Sequence, residues 1–178
     1  AKLRGRKSAE ELRRLRRACE ETLAIYDRVG KAARPGMTEK ELAAWITRRR
    51  EKRGLPAAWH VDSCPAVFSG PQEIGAHSAP TGNELKPGHI FNIDFGVKVE
   101  TYCSDLQRTW YILRPGEKRA PAAVQRGFDV LLEAIALAFA ALKPGARGID
   151  VDAAARGHIV AAGYAEFPHA LGHQVGRF

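Results

Sequence analysis

Residues 90–109, IFNIDFGVKVETYCSDLQRT, decide the fold class of this chain because they contain two β-like segments, 90–96 and 102–109, with a short connection between them. The connection can turn the chain back so that the two segments pair as antiparallel strands. Asp94 lies in the first segment and Asp105 in the second, so pairing brings two carboxylates towards one another across the hairpin. The stretch therefore predicts an antiparallel hairpin that carries two acidic side chains.

Two neighbouring carboxylates in an apolar strand pair repel each other unless a cation neutralises them or they share a proton. A buried structural aspartate is the simpler explanation for Asp94 or Asp105 taken singly, but not for both on facing strands. Downstream, residues 169–173, HALGH, offer imidazole nitrogens that can complete a mixed oxygen and nitrogen ligand set. The pattern therefore predicts a metal site.

The composition is that of a folded chain, because 178 residues with 45% apolar content suffice for one substantial domain with its own core. No stretch approaches about 18 uncharged apolar residues, and no hydrophobic export segment follows the basic N-terminal residues. The three cysteines lack C-x-x-C spacing, which argues against a disulfide framework or a structural zinc site. We therefore expect a cytoplasmic protein that does not bind membranes.

The net charge of +8 is concentrated near the N-terminus. Residues 1–17 contain eight lysines and arginines against two glutamates, and a second basic cluster at residues 48–53 ends a predicted helix, where cations favour the helix dipole. No interleaved aromatic residues or nucleic-acid-binding motif accompany this charge. We therefore interpret the clusters as solvated polar faces and expect no nucleic-acid partner.

The order of predicted elements repeats along the chain. A capping box at Ser8 begins a helix that runs to about residue 29, and a second box at Thr38 begins a helix that ends near Gly54. Strand-like segments follow to residue 113. A long apolar helix from about residue 124 and a helix from about residue 150 to Gly163 then restart the same order.

The repeat has a constant offset of 109 residues, which relates three pairs of turn residues: Pro35 to Pro144, Gly36 to Gly145 and Gly54 to Gly163. Two halves built alike explain this better than coincidence. The first spans about residues 8–113 and the second about residues 121–178, within a single domain over 1–178. If the halves are equivalent, about 40 residues of strand are missing from the second, so the second half is predicted to be truncated.

Two familiar motifs do not apply to this chain. The triplet that begins at Asp94, DFG, matches the magnesium-binding triplet of protein kinases, but the glycine-rich loop and the other kinase motifs are absent before it. His169 and His173 have the spacing of a zincin helix, yet Ala170 stands where a zincin needs glutamate, and Gly172 disfavours a helix there. Both assignments are rejected.

Three motifs in order carry a family resemblance: residues 92–96, NIDFG; residues 102–109, YCSDLQRT; and residues 168–176, PHALGHQVG. They resemble the pita-bread metallopeptidases, the superfamily that includes methionine aminopeptidase, Xaa-Pro aminopeptidase, prolidase and creatinase. The resemblance covers nearly the whole chain, including its duplicated halves. It implies an α/β (α+β) pita-bread fold, in which two pseudo-symmetric halves of helices and antiparallel strands surround a dinuclear site.

The resemblance implies a metal-ligand set. Asp94 corresponds to the bidentate ligand of one metal ion, Asp105 to the carboxylate that bridges both ions, and His173 to the imidazole ligand of the other. The two glutamates that complete the site in the family lie on later strands, beyond Phe178. With three of five ligands, the 178-residue chain by itself is predicted to be inactive.

The resemblance also assigns residues around the metals. His77 corresponds to a substrate-facing histidine and His169 to a histidine that lines the same pocket, and both are catalytic candidates that assist proton transfer and substrate placement. A lone loop histidine is more often surface decoration, and its position in the motif order is what favours the catalytic interpretation of His77. Thr109 is a candidate to orient the metal ligands without contacting the metals itself, whereas Arg108 is interpreted as support for the hairpin.

The activity implied by the resemblance is that of a metal-dependent exopeptidase. Two divalent ions, manganese, cobalt or zinc, would hold a bridging hydroxide that hydrolyses the N-terminal peptide bond of a short peptide with a free N-terminus. The oligomeric state stays open, and a homodimer is compatible with the family. The helix that begins at Ser8 resembles the first helix of the catalytic domain, so we expect the separate N-terminal domain common in Xaa-Pro aminopeptidases to be absent.

Three specific functions remain open. The hairpin motifs resemble the Xaa-Pro dipeptidase and aminopeptidase branch more than the methionine aminopeptidase branch, so the first is preferred and the second is the alternative. The third is a pita-bread protein that binds a partner and catalyses nothing. Such proteins commonly lose metal ligands, and retention of Asp94, Asp105 and His173 therefore favours an enzyme.

Overall fold

The computed structural model describes residues 5–71 and 79–177. The helices and strands, in chain order, are α1 (Ala9–Ala32), α2 (Glu39–Lys52), β1 (Ala66–Ser69), β2 (Ile90–Phe95), β3 (Lys98–Val99), β4 (Tyr102–Cys103), β5 (Leu106–Tyr111), α3 (Ala122–Ala141) and α4 (Gly148–Ala161). The mixture of helices with antiparallel strands confirms the predicted α/β class. By its internal contacts the chain forms two compact units, one from the described parts of Ala1–Lys118 and Gln174–Phe178, the other Arg119–His173.

Both predicted capping boxes form at the starts of the first two helices. The Ser8 hydroxyl accepts a hydrogen bond from the backbone N–H of Glu11 at 3.3 Å, and the Glu11 carboxylate accepts from the Ser8 N–H at 2.8 Å. Thr38 and Glu41 make the same reciprocal pair, at 3.2 Å and 2.8 Å. Each box satisfies two of the backbone donors that a helix N-terminus leaves without an intrahelical partner, and so fixes where the helix begins.

The principal sheet has the strand order β1-β2-β5, with both pairs antiparallel. The predicted connection between the two long strands is a small hairpin of its own, in which β3 pairs with β4. The chain reverses at Glu100 and Thr101, whose φ angles of 47° and 73° lie in the left-handed region used by tight hairpin turns. The two long strands therefore pair as predicted, with a separate tip beyond them.

One close approach lies at the base of this tip. A Cβ atom on Gly96 would collide with the carbonyl oxygen of Ser104. The Ser104 hydroxyl in turn accepts a hydrogen bond from Val97 N at 2.9 Å and lies 2.8 Å from the Thr22 hydroxyl on α1. Glycine at 96 thus allows the chain to close immediately before Asp105, the second carboxylate of the hairpin.

The core of the first unit lies between α1, α2 and one face of the sheet. Ile25, Val29, Leu42 and Ile46 from the helices pack with strand residues that point towards them, and all are almost completely buried. The strand partners are Val67, Phe91, Ile93 and Phe95. Because side chains alternate along a strand, the residues between these face away from the helices.

The internal repeat is present in the backbone. Helices α2 and α4 both have 14 residues, and the offset of 109 carries Glu39–Lys52 onto Gly148–Ala161. The turn glycines also correspond, because Gly36 and Gly145 have φ angles of 84° and 89°. The same hydrogen bond closes the turn after each second helix, from the N–H of Gly54 or Gly163 to the carbonyl three residues earlier. The second helix of each half and its flanking turns therefore recur at the offset found in the sequence.

The second unit is built on the α3 and α4 pair. Their contact consists of small and medium apolar side chains: Val130, Ala134, Ala138, Val151, Ala155 and Ile159. Within residues 119–173 the structure assigns helices and no strand. Ile135, the counterpart of the sheet-packed Tyr26, is accordingly 59% exposed. No helix in the described residues is long and apolar enough to cross a membrane.

Candidate active site

The face of the sheet that points away from the helices carries a polar row. Asn92 on β2 lies opposite Thr109 on β5, and its side-chain N–H donates to the Thr109 hydroxyl at 2.8 Å. Two residues further along β2, Asp94 lies opposite Gln107, whose side-chain N–H donates to Asp94 Oδ2 at 3.2 Å. Cross-strand hydrogen bonds thus fix the rotamers of the residues that line this face.

Asp105 extends the same row. It immediately precedes β5, two residues before Gln107, so the alternation of the strand puts Asp105 and Gln107 on the same side. Asp94 and Asp105 are therefore diagonal neighbours, for which Cα separations of about 7–8 Å are usual. Asp94 is 6% exposed and Asp105 is half-buried. Carboxylates at these partly desolvated positions are hard oxygen donors, which suit divalent cations.

Tyr26 on α1 ties the two carboxylate-bearing strands together from the core side. Its hydroxyl lies 3.0 Å from the carbonyl oxygen of Ile93 and 2.7 Å from that of Leu106. These are the residues directly before Asp94 and directly after Asp105. Burial raises the pKa of Tyr26 far above its ordinary value, and the Asp94 carboxylate is the next largest contribution. The phenol therefore stays protonated and serves both carbonyls as a donor.

We expect Tyr26→Phe to reduce the free energy of unfolding by about 1–3 kcal/mol, because a shared buried hydrogen-bond donor is removed while its acceptors stay buried. Urea unfolding followed by circular dichroism measures the change. Tyr111→Phe is the matched control, because the Tyr111 hydroxyl is only partly buried and binds the Glu117 carboxylate at 3.0 Å. An equal loss in both variants would contradict the special role of Tyr26.

A second support outside the sheet is Glu39, the first residue of α2, which is completely buried. Its Oε1 accepts from the N–H and the hydroxyl of Ser69, both at 2.8 Å. Its Oε2 accepts from the N–H and the hydroxyl of Thr81, at 2.9 Å and 2.7 Å. Glu39 thereby joins the end of β1 to residue 81. His77, a candidate from the sequence, belongs to residues 72–78, which lie outside the described residues.

The other two candidate histidines, His169 and His173, lie in the second unit, in the segment after α4. Both side chains are exposed; His169 Nδ1 lies 2.9 Å from the carbonyl oxygen of Ala170, and its ring lies 5.2 Å from that of Phe167. Among the described residues, no group of three or more histidine, cysteine, aspartate or glutamate side chains lies close enough to hold a metal ion. The structure therefore puts Asp94 and Thr109 on one face of the sheet, with Asp105 directly before β5, and it places His169 and His173 in the second unit.

The residues that follow His173 return to the first unit. Gly176 O accepts a hydrogen bond from Cys103 N at 2.9 Å, and Arg177 forms an isolated bridge with Tyr102. Cys103 lies two residues before Asp105. The chain after the histidine motif is thus paired with the strand that leads into the second carboxylate.

Sequence reasoning found the carboxylates but missed Tyr26 and Glu39. In the sequence Tyr26 is one apolar position of an amphipathic helix, and no sequence pattern singles out Glu39. Their partners are 30 or more residues away in sequence. The single local hint is that Glu39 lies inside a capping box that already has its own acidic residue, Glu41, which leaves Glu39 without a local task.

Comparison with known proteins identifies a family. The family described as metallopeptidase family M24 matches residues 13–178. An uncharacterized peptidase of Staphylococcus saprophyticus is 34% identical over 175 residues, which cover 98% of this chain and 48% of that protein.

Solved structures give the same result. The Xaa-Pro dipeptidase from Bacillus anthracis is similar with a TM-score of 0.86 and 27% identity, over 98% of this chain and 47% of that one. The X-Pro aminopeptidase from Thermotoga maritima is similar with a TM-score of 0.86 and 30% identity, over 98% of this chain and 48% of that one. The chain thus spans about half the length of the relatives it matches.

Proposed function

The chain belongs to metallopeptidase family M24, and from that premise we propose that the protein containing it is a metal-dependent exopeptidase that removes the N-terminal residue from short peptides whose second residue is proline. The observation that supports the proposal is the register of β2 with β5, in which Asp94 lies opposite Gln107, two residues after Asp105. The term "full-length protein" means a protein that contains this chain and has the length of the relatives that the chain matches. Its peptide substrate and its cytoplasmic location are parts of the same proposal.

The residues proposed to hold two divalent ions are Asp94, Asp105 and His173. The carboxylates supply hard oxygen donors and the histidine a nitrogen donor, which suits manganese, cobalt or zinc. Support for including His173 comes from the sequence, where it ends the motif at residues 169–173, HALGH. Bound divalent ions supply an activated water nucleophile and polarise the carbonyl of the peptide bond that breaks.

The protein side chains have separate tasks in this proposal. Gln107 holds Asp94 by a hydrogen bond to one carboxylate oxygen, and the Asn92 and Thr109 pair fixes the strand beside it. His77 and His169 are proposed to orient the peptide and to move protons during bond cleavage, because imidazole changes its charge near neutral pH. By this assignment the chain by itself, without the two glutamates of the family, does not hydrolyse peptides.

Specificity provides the direct test. We expect the full-length protein, supplied with manganese, cobalt or zinc, to cleave Ala-Pro and Leu-Pro with a much higher kcat/KM than Met-Ala-Ser. The ratio of kcat/KM values reports discrimination in the transition state rather than binding alone. A clear preference for Met-Ala-Ser would transfer the protein to the methionine aminopeptidase branch. No cleavage of any of these peptides in the presence of metals would favour a non-catalytic partner-binding protein.

A further inference from the structure

The second unit contains an ion pair, Arg156 with Asp152, whose side chains also bind main-chain groups. Arg156 and Asp152 lie one turn apart on α4 and pair through two parallel bonds, Nε to Oδ2 at 2.7 Å and Nη2 to Oδ1 at 3.0 Å. This fork arrangement fixes the orientation of the guanidinium plane. Because both side chains are only about a quarter exposed, with 22% for Arg156 and 25% for Asp152, water competes weakly for these bonds.

The remaining donors of Arg156 bind the segment that follows α4. Nη1 donates to the carbonyl of Phe167 at 2.6 Å, and Nη2 donates to the carbonyl of His169 at 2.9 Å. The guanidinium carbon also lies 4.0 Å from the centroid of the Phe167 ring, in cation–π contact. The same carboxylate that orients Arg156 accepts from the N–H of Leu171, Oδ1 to N at 2.9 Å.

Two side chains therefore hold three alternate main-chain groups, at residues 167, 169 and 171. This stretch has no regular secondary structure, so its carbonyls and amides gain no partners from a ladder or a helix. Backbone groups without such partners need side chains or water to fix them. The Asp152 and Arg156 side chains supply the hydrogen bonds that a neighbouring strand would otherwise supply.

The first half of the repeat has no equivalent of this ion pair. The offset of 109 residues relates Asp152 to Ala43 and Arg156 to Thr47 on α2. Helix α2 packs well with these two uncharged residues, and Ala43 is buried in the core. The charged pair is thus specific to the half in which the segment after the helix carries two histidines.

Electrostatics keeps both partners charged. Hydrogen bonding to Arg156 and then to the Leu171 N–H lowers the pKa of Asp152 below its ordinary value. Hydrogen bonding to Asp152 raises the pKa of Arg156. Charge-assisted bonds are stronger than neutral ones, which is what a fixed main-chain path requires.

We propose that Asp152 and Arg156 are positioning residues that set the main-chain path from Phe167 to Leu171 and thereby aim the imidazoles of His169 and His173. The proposal rests on the proposed function, in which those histidines serve the substrate and the metals. Neither Asp152 nor Arg156 touches the reacting atoms. Their effect on catalysis is expected to appear in kcat, because a misplacement of about 1 Å in a catalytic group can cost about 100-fold in rate.

The test uses four variants of the full-length protein. Arg156→Lys keeps the charge but loses the fork, and Asp152→Ala removes the acceptor of the Leu171 N–H. Asp152→Asn keeps an oxygen acceptor and serves as the conservative rescue. Arg147→Lys is the matched control, because Arg147 makes the same kind of fork with Asp150 near the start of α4, at 2.8 Å and 2.6 Å.

Two readouts are measured: exchange of the Leu171 amide proton by NMR, and kcat and KM on Ala-Pro. We expect faster Leu171 exchange in Asp152→Ala and Arg156→Lys, with kcat lowered by about 10- to 100-fold and KM changed little. Asp152→Asn keeps an acceptor for the Leu171 N–H but cannot form the fork with Arg156, so it should recover part of the exchange protection. Arg147→Lys should resemble the unsubstituted protein in both readouts.

Unchanged Leu171 exchange in Asp152→Ala would overturn the proposal, because the segment would then be held by other contacts. Faster exchange with unchanged kcat would also overturn it, because the path of the segment would not matter for the histidines. A uniform increase of exchange over all helices would indicate general destabilisation and count against a local role. If the unsubstituted protein cleaves no peptide, the proposed function fails, while Leu171 exchange still decides whether the pair fixes the segment.

Discussion

Replacing Asp105 with asparagine in the full-length protein is expected to abolish peptidase activity and leave the fold intact. Asp105 is the carboxylate proposed to contact both metal ions, and an amide of the same size cannot supply the negative charge that two dications require. The fold should survive because asparagine has nearly the same size and shape as aspartate and the position is half-buried, directly before β5. The measurements are kcat/KM on Ala-Pro, metal content per protein and thermal unfolding.

Asp62→Asn is the control for this substitution. Asp62 is an exposed aspartate in a turn of the same unit, where it contacts His60 at 3.3 Å, and the same chemical change there should leave activity and metal content unaltered. Near-normal turnover by Asp105→Asn with two metal ions bound would refute the bridging role. Loss of activity together with a large fall in unfolding temperature would instead identify Asp105 as a structural residue.

The helices of this protein could be predicted because their signals are local. Ser8 and Thr38 each need only a glutamate three residues later to begin a helix, and both boxes form. The repeat could also be predicted, because the turn requires a residue with positive φ, which favours glycine. Glycine therefore recurs at positions 36 and 145. Features that depend on neighbouring residues, such as helix starts and turns, can therefore be predicted from short stretches of sequence.

The hairpin was predicted in outline but not in detail. Two β-like segments with a short connection between them predicted the pairing of β2 with β5, which is observed, but not the separate tip formed by β3 and β4. The tip depends on Gly96, which lets the Ser104 carbonyl approach, and on Thr22 from a distant helix. A contact between residues 82 positions apart leaves no periodic trace in the sequence.

The candidate site divides in the same way. The carboxylates Asp94 and Asp105 could be found because two acidic residues in apolar strands are unusual in themselves. The groups that hold the site could not, because Tyr26 and Arg156 are common residues whose meaning comes from carbonyl groups met only in the folded chain. Chemistry-bearing residues are recognisable by type, whereas positioning residues are recognisable only by contact.

Glu39 is the position where such a contact should matter most for stability. We expect Glu39→Gln to lower the free energy of unfolding by about 3 kcal/mol or more, because a buried carboxylate that accepts four hydrogen bonds is replaced by an amide with a single acceptor oxygen. The amide nitrogen would then face donor groups of either Ser69 or Thr81. One side of the connection between β1 and residue 81 must therefore open.

Urea unfolding of the variant, followed by circular dichroism, measures this loss. Glu41→Gln is a close control, because Glu41 lies two residues later in the same helical turn but is exposed and serves only the capping box. Its loss should stay near 1 kcal/mol, the usual value of a cap. Ser69→Ala and Thr81→Ala each remove one hydroxyl from Glu39 and should cost less singly than Glu39→Gln does. If Glu39→Gln costs no more than Glu41→Gln, the buried carboxylate does not hold the end of β1 and residue 81 together. The connection must then be stabilised by the backbone hydrogen bonds between α2 and residues 81–85.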